Sequence, residues 1–155
     1  MQKRSESAHG GLAAIGRRKA ARPISPRKPM HLIFRSSRAR GPWSLVRSRN
    51  RIRELSFLTA RRSSVRIQRL AVLDRHLHLV VRAGSREHMQ KFLRVLPQVV
   101  MFAVTGARKG NPRGRFWDAL VFSRVMDFRP VARDSWRNIL RAPPDLFARI
   151  RHPGG

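Results

Sequence analysis

The sequence predicts a single α+β domain in which an antiparallel sheet carries helices on one face. Three observations predict this fold class. Four short apolar segments have the composition of strands, and two segments with helical spacing of apolar residues separate the first strand from the second and the third from the fourth. The chain of 155 residues is also long enough for one hydrophobic core. This order along the chain is that of a βαββαβ unit.

The first strand and first helix are predicted in the segment from Met30 to Ser64. Residues 30–35 form a short apolar run bounded by Pro29 and by Ser36-Ser37, which is typical of a strand. Gly41-Pro42 marks a turn, after which Trp43 opens a helix whose apolar residues recur at roughly helical spacing. Ser63-Ser64 is expected to end this helix, and arginines cover much of its remaining surface.

The second and third strands are predicted as a hairpin around Asp74-Arg75. Residues 65–72 alternate between apolar and polar side chains, but the alternation slips by one residue near Arg69, so a β-bulge is expected there. The third strand begins at His76 and continues through an apolar run to Val81.

The second helix has the clearest amphipathic pattern in the chain. Ser85 is a suitable N-cap, and Glu87 lies in the first turn, where the helix dipole favours an anion. Apolar residues recur at helical spacing from Met89 to Ala103. Pro97 lies within this stripe and is expected to kink or shorten the helix.

The remaining elements complete a ferredoxin-like fold with an additional C-terminal helix. Residues 106–114 form a polar, basic loop, residues 115–126 suit a fourth strand, and residues 134–140 suit a short final helix. With both main helices on one face of the sheet, the opposite face is expected to be open. We further predict a disordered basic arm at residues 1–29, a folded domain at 30–142 and a C-terminal tail at 143–155.

The charge of the chain points to a polyanionic partner. Lysine and arginine together number 35 against 8 aspartates and glutamates, which gives a formal net charge of +27. Arginine binds phosphate through a planar fork and also stacks on bases. This surplus favours nucleic acid as the partner, with an affinity that falls as salt rises.

Composition excludes several other classes. The chain has no cysteine, so it forms no disulfide, thiolate metal site or cysteine nucleophile, and a cytoplasmic location is expected. It has no apolar run of membrane-spanning length, so no membrane association is expected.

Two histidines separated by one leucine stand out within the third strand. Side chains alternate between faces along a strand, so His76 and His78 share one face and their roots lie roughly 6.5–7 Å apart. Both imidazoles can therefore reach one metal ion. The alternative is a pair of strand histidines that face solvent or phosphate without a metal. His31 lies on a neighbouring strand and can approach the pair, where a structural role is expected.

These segments together resemble the single-tyrosine HUH transposases, in particular the REP-associated and related insertion-sequence type. The resemblance covers about residues 23–142. It rests on three segments, which are Met30-His31-Leu32-Ile33-Phe34-Arg35-Ser36-Ser37, His76-Leu77-His78-Leu79-Val80-Val81, and the block from Phe116-Trp117-Asp118 to Phe122-Ser123-Arg124-Val125.

The resemblance implies a metal-dependent DNA strand transferase, and the sequence departs from that pattern. In the family, the two histidines and a third ligand on the last helix hold a divalent ion, and a tyrosine on that helix attacks the DNA phosphate. Here the metal ligands would be His76 and His78, with Mg²⁺ or Mn²⁺ as the ion. Asn138 occupies the expected tyrosine position and Ala142 the expected ligand position, and the chain contains no tyrosine. The resemblance therefore implies an enzyme that has lost its catalytic tyrosine and whose metal site is weakened or lost.

Single-stranded or hairpin DNA is the partner that this resemblance implies. Candidate phosphate contacts are Arg35, Arg82, Arg108, Lys109, Arg113 and Arg115. Two alternatives stay open: an active metal-dependent nuclease in which water or Ser135 replaces tyrosine at His76 and His78, and a basic RNA-binding protein. The sequence does not decide between a monomer and a homodimer.

Overall fold

A computed structural model describes residues 8–16, 20–107 and 115–126 of the chain. These residues form one antiparallel sheet and two α-helices. The strands are β1 (Ala8–His9), β2 (Met30–Arg35), β3 (Val65–Val72), β4 (His76–Ala83) and β5 (Phe122–Val125). The helices are α1 (Arg49–Arg62) and α2 (Arg86–Thr105), with short 3-10 helices at Leu12–Ala14, Gly41–Trp43 and Leu45–Ser48. Within this part of the chain, no helix is long and apolar enough to cross a membrane.

The strand order in the sheet is β1-β5-β2-β4-β3, and every neighbouring pair is antiparallel. Apart from the two-residue β1, the spatial order is fourth, first, third, second along the chain. This arrangement confirms the predicted ferredoxin-like α+β fold. The predicted final helix at residues 134–140 lies outside the described residues.

The central pair of strands, β2 and β4, forms the floor of the hydrophobic core. Alternation places Leu32 and Leu79 on the same face of the sheet, directly opposite each other, and both side chains are fully buried. Ile52 of α1 and Phe92 of α2 belong to the same apolar cluster. Both helices therefore cover one face of the sheet.

Helix α1 begins later than the sequence predicted. The segment from Gly41 to Ser48 forms two 3-10 turns joined at Ser44, whose backbone is not helical. The amide of Leu45 donates to the carbonyl of Asp74 in the β3–β4 hairpin. It therefore does not take part in the hydrogen bonds of an α-helix. At the other end, α1 stops at Arg62 as predicted, and Ser64 adopts a left-handed φ of 55°.

The β3–β4 hairpin confirms the predicted bulge and turn. The register shifts between Ile67 and Arg69, where the alternation of the sequence slips. The amide of Leu73 donates to the carbonyl of His76 at 2.8 Å, which closes the turn around Asp74-Arg75.

Helix α2 confirms the predicted N-cap and is not shortened by its proline. The side chain of Ser85 accepts a hydrogen bond from the amide of His88, and Glu87 lies in the first turn. The helix continues through Pro97 to Thr105 and ends at Gly106, whose φ is 68°. The carbonyl of Pro97 accepts a hydrogen bond from the indole of Trp117 at 2.9 Å, so the segment after the helix packs against it at this point.

Strand β5 is shorter than the predicted strand at residues 115–126. The structure confines the strand to Phe122–Val125. The guanidinium of Arg115 donates to the carbonyls of Trp117 and Asp118, at 3.1 and 3.0 Å. These carbonyls are therefore satisfied by a side chain of their own segment, and that segment turns instead of extending the ladder.

Part of the predicted basic arm is ordered against β5. Ala8–His9 pairs with β5 as β1, and Arg22 donates to the carbonyl of Val121 and to the hydroxyl of Ser123. A Cβ on Gly10 would clash with the carbonyl oxygen of Val121, so only glycine permits this approach. Without these residues β5 would be an edge strand with unpaired backbone groups. The domain boundaries at residues 29 and 142 stay predictions.

Two phenylalanines of α2 test the position of the core. Phe92 is fully buried and Phe102 is 39% exposed on the same helix. Phe92→Ala is expected to lower the free energy of unfolding by about 3–5 kcal/mol, because it leaves a cavity. Phe102→Ala, the matched control, is expected to cost much less. Urea denaturation measures both, and equal losses would contradict this placement of α2.

Candidate nucleic-acid and metal site on the histidine face

The sheet face opposite the helices carries both signature histidines, His76 and His78, and two of the predicted phosphate contacts, Arg35 and Arg82. We call it the histidine face. The strand registers and the alternation of side chains place thirteen described residues on it. They are Ala8, His31, Ile33, Arg35, Arg66, Arg69, Ala71, His76, His78, Val80, Arg82, Phe122 and Arg124.

The centre of the histidine face is buried, so the prediction of an open face is wrong there. Only 5% of the surface of His31 and 2% of that of His78 is accessible to solvent, and the flanking Ile33 and Val80 are similarly buried. These apolar neighbours make the centre of the face more like a core than like a groove. Solvent reaches this face at its margins.

His31 and His78 form a hydrogen-bonded pair at this buried centre. Nε2 of His31 lies 3.2 Å from Nδ1 of His78, and the rings stack with centroids 5.5 Å apart. Burial lowers the pKa of His31 to about 4, with a further contribution from Arg124. Burial also lowers the pKa of His78 to about 3, with contributions from His31 and His76. Both rings are neutral at pH 7, so one donates its N–H and the other accepts.

His76 lies beside this pair, nearer the margin. Its ring centroid is 6.0 Å from that of His78, and its Nε2 atom is buried with no hydrogen-bond partner. Burial lowers the pKa of His76, Arg35 and Arg75 lower it further, and Asp118 opposes them. The structure therefore brings together the two signature histidines and His31.

Arg35 and Asp118 connect the end of β2 to the segment that precedes β5. Nη1 of Arg35 lies 3.5 Å from Oδ2 of Asp118, while Oδ1 of Asp118 accepts from both the amide and the hydroxyl of Ser37 at 2.8 Å. Arg35 is directly opposite His76 in the β2–β4 ladder. Asp118 therefore anchors the guanidinium that lies beside the first signature histidine.

The other predicted phosphate contacts fall in different places. Arg82 is exposed and lies on the histidine face. Arg115 is exposed, but its guanidinium holds the backbone of residues 117–118. Arg108, Lys109 and Arg113 lie outside the described residues.

The metal site itself stays a prediction. His76 and His78 contribute two imidazoles, and one nitrogen of His78 already faces His31. In the described ranges, no group of three or more histidine, cysteine, aspartate or glutamate side chains has the arrangement to hold a metal ion. Asn138 and Ala142, the predicted nucleophile and ligand positions, lie outside these ranges.

Several arginines that the sequence did not single out are brought by the fold to the same surface. Arg66, Arg69 and Arg124 are exposed and lie at the margin of the histidine face, together with Arg82. Arg66 is directly opposite Arg82 in the β3–β4 ladder. The signal was present in the hairpin, because pairing outward from Asp74-Arg75 across the bulge gives this register.

Arg22 is a further residue that the sequence did not mark. It is half-buried, and burial lowers its pKa to about 10, so it stays charged at pH 7. Its hydrogen bonds to Val121 and Ser123 cross 99 and 101 residues of sequence, so no local pattern reveals it.

No protein-family model matches the chain, and no curated protein matches it. Among solved structures, the chain is similar to a Deinococcus radiodurans protein provisionally described as a transposase. The identity is 13%, the TM-score is 0.48, and the match covers 88% of this chain and 100% of the other.

The buried histidine pair predicts a pH dependence of stability. Because the folded state holds His31 and His78 at lowered pKa values, the unfolded state binds more protons below its own pKa of about 6.5. The free energy of unfolding is therefore at its full value above that pH. It falls on acidification by about 1.4 kcal/mol per pH unit for each histidine. Urea midpoints between pH 7.5 and pH 5 measure this slope, before most carboxylates titrate.

One substitution tests whether His31 contributes to this pH dependence of the free energy of unfolding. His31→Gln keeps a hydrogen-bonding side chain and removes one proton-binding site, so the slope is expected to become shallower. His88→Gln changes an exposed histidine of α2 and is expected to keep the wild-type slope. Equal slopes in all three proteins would contradict a neutral, buried pair.

Asp118 is expected to contribute to stability through its partners. Asp118→Ala removes two hydrogen bonds from Ser37 and the ion pair with Arg35, at a side chain that is only 13% exposed. We expect a loss of about 1.5–3 kcal/mol, the range for hydrogen bonds to a charged group. Asp74→Ala removes an exposed carboxylate that accepts from Ser44 and is expected to cost less. Thermal unfolding of both variants compares the two sites.

Proposed function

We propose that this chain is a transposase-like DNA-binding protein that holds single-stranded or hairpin DNA against the arginine margin of the histidine face. We propose in addition that it does not carry out tyrosine-dependent strand transfer. One observation carries the binding proposal: exposed arginines from three strands, Arg66 and Arg69 of β3, Arg82 of β4 and Arg124 of β5, share one face of the sheet.

These arginines concentrate positive charge on one face of the sheet. Arg66 is directly opposite Arg82 in the β3–β4 ladder, so their guanidinium groups leave the sheet side by side. A phosphate at this position can accept hydrogen bonds from more than one guanidinium group. A nucleic-acid backbone supplies such phosphates in a row, which supports this margin as the binding surface.

The resemblance to HUH transposases supports DNA rather than another polyanion. It comes from the strand order, the histidine signature on β4 and the Phe116-Trp117-Asp118 block. In such an enzyme, a divalent ion held by two histidines polarises the scissile phosphate. A catalytic metal site commonly uses three protein ligands, and this chain offers His76 and His78 with Ala142 at the expected third position. We therefore assign no reaction step to a metal here.

The proposed loss of strand transfer follows from the missing nucleophile. The covalent step requires a tyrosine oxygen, and the chain contains no tyrosine. The buried centre of the histidine face also supports this view, because His78 faces His31 instead of solvent.

An end-labelled DNA single strand that carries a hairpin tests both parts of the proposal. The protein is incubated with this strand and Mn²⁺, and binding, cleavage and covalent attachment are scored together. We expect binding without cleavage or attachment. Cleavage that His76→Ala abolishes would instead establish a metal-dependent nuclease, and absence of binding at moderate salt would end the proposal.

Arginine-to-glutamine variants test whether the arginine margin of the histidine face is the surface that binds DNA. On a single strand, the slope of log K against log salt is expected to fall by about 0.7 for each phosphate that the protein no longer neutralises. Arg66→Gln with Arg69→Gln is therefore expected to reduce the slope by about 1.4. Arg51→Gln with Arg94→Gln removes the same charge from exposed positions of the helices and is the matched control. A preference for RNA of equal charge, unaffected by chelator, would favour a basic RNA-binding protein instead.

A further inference from the structure

Helix α1 carries a surface that the proposed function does not use. Arg49, Arg53, Phe57 and Arg61 follow one another at four-residue spacing, and we call this row the α1 ridge. Residues at this spacing are neighbours on a helix surface. All four side chains are exposed, and Phe57 retains 42% of its exposure. The row advances about 6 Å per step and about 18 Å in all.

The α1 ridge lies on the opposite side of the domain from the histidine face. Ile52 of α1 belongs to the apolar cluster that covers the other face of the sheet, and Ser56, Thr59 and Ala60 are the other buried residues of this helix. The ridge residues lie outside this buried set. The ridge belongs to the helix layer, and the arginine margin belongs to the other face of the sheet.

The charges of α1 are poorly placed for an isolated helix. Its first turn contains Arg49 and no acidic residue, although the helix dipole favours anions there. Arg49 and Arg53 are also like charges at four-residue spacing, which is destabilising. A bound anion offsets both effects, and local rules are broken in this way mainly at functional sites.

Phe57 specifies the kind of anion. Phe57 is a large aromatic ring that is exposed among arginines, so one of its faces can receive a flat ligand group. The guanidinium of Arg53 lies 5.5 Å from the centre of the ring and orients it. Single-stranded nucleic acids are bound by this combination, in which basic side chains follow the backbone and aromatic rings stack on the bases.

We propose that the α1 ridge is a second binding surface for single-stranded nucleic acid. Phe57 stacks on one base, and Arg49, Arg53 and Arg61 contact phosphates on either side of it. This inference goes beyond the proposed function and does not depend on it, because the two surfaces are on opposite sides of the sheet. Together they allow one domain to hold two segments of a strand.

Fluorescence anisotropy with a labelled oligothymidylate single strand tests the ridge, with a duplex of equal length as the comparison. Phe57→Leu keeps an apolar side chain but removes the ring, and we expect about 5- to 100-fold weaker binding of the single strand. Affinity for the duplex, whose bases are already stacked, is expected to change little. Phe57→Trp is expected to retain or improve binding of the single strand. Circular dichroism checks that each variant is folded.

Arg51→Gln is the matched control for the arginines of the ridge. Arg51 is on the same helix and is also exposed, but it is off the ridge and pairs with Glu54 at 2.9 Å. Arg53→Gln is expected to reduce the salt slope by about 0.7, and Arg51→Gln is expected to leave it unchanged. Equal effects of the two variants would show a general charge effect and overturn the proposal.

Two further outcomes would also overturn it. Wild-type affinity of Phe57→Leu for oligothymidylate would remove the role of the ring. If Phe57→Leu instead weakened only the binding of phosphatidylserine vesicles, the ridge would be a membrane surface. The Arg66→Gln and Arg69→Gln variant separates this result from the proposed function. Loss of hairpin binding in that variant, with no effect of the ridge variants, would leave the proposed function standing without the ridge.

Discussion

The pairing of β2 with β4 is the constraint on which both the core and the site depend. A single register aligns six residue pairs, from Met30 opposite Val81 to Arg35 opposite His76. Because side chains alternate, this register buries Leu32 and Leu79 beneath the helices and places the histidines on the other face. A shift by one residue would exchange the two faces and direct imidazoles into the apolar core. The fold and the candidate site are therefore fixed by the same set of backbone hydrogen bonds.

The buried histidine pair strengthens that constraint. An imidazole buried without a partner costs roughly 1–3 kcal/mol, whereas His31 and His78 satisfy each other at 3.2 Å. A shift by one residue would place the two rings on opposite faces of the sheet and leave polar nitrogens buried without a partner. The pair thus disfavours a one-residue shift, as buried polar groups do elsewhere when they specify register. For His78, this structural role accounts for its burial and its lowered pKa without a metal ion.

Local patterns predicted the elements whose signals lie within a few residues. The N-cap at Ser85, the turn around Asp74-Arg75 and the bulge before Arg69 depend only on neighbouring residues, and the sequence contains that information. The start of α1, the length of β5 and the ordering of residues 8–9 depend on contacts between distant segments. The burial of His31 and Ile33 belongs to this second group, because the sequence of a strand does not predict how far other segments cover each face of the sheet. The arginines at the margin of the histidine face are intermediate in this respect. Their positions follow from the sequence only when the register of the strands is known in addition to the alternation of side chains.

The two arginine-rich surfaces share one physical property. Both concentrate positive charge: Arg66 and Arg82 are opposite each other in the β3–β4 ladder, and Arg49 lies in the first turn of α1, where the helix dipole favours anions instead. A net charge of +27 adds self-repulsion throughout the compact state. A ligand that binds the folded state and neutralises these charges raises stability by mass action. Under the proposed function, folding and polyanion binding are therefore thermodynamically linked, and the same arginines take part in both.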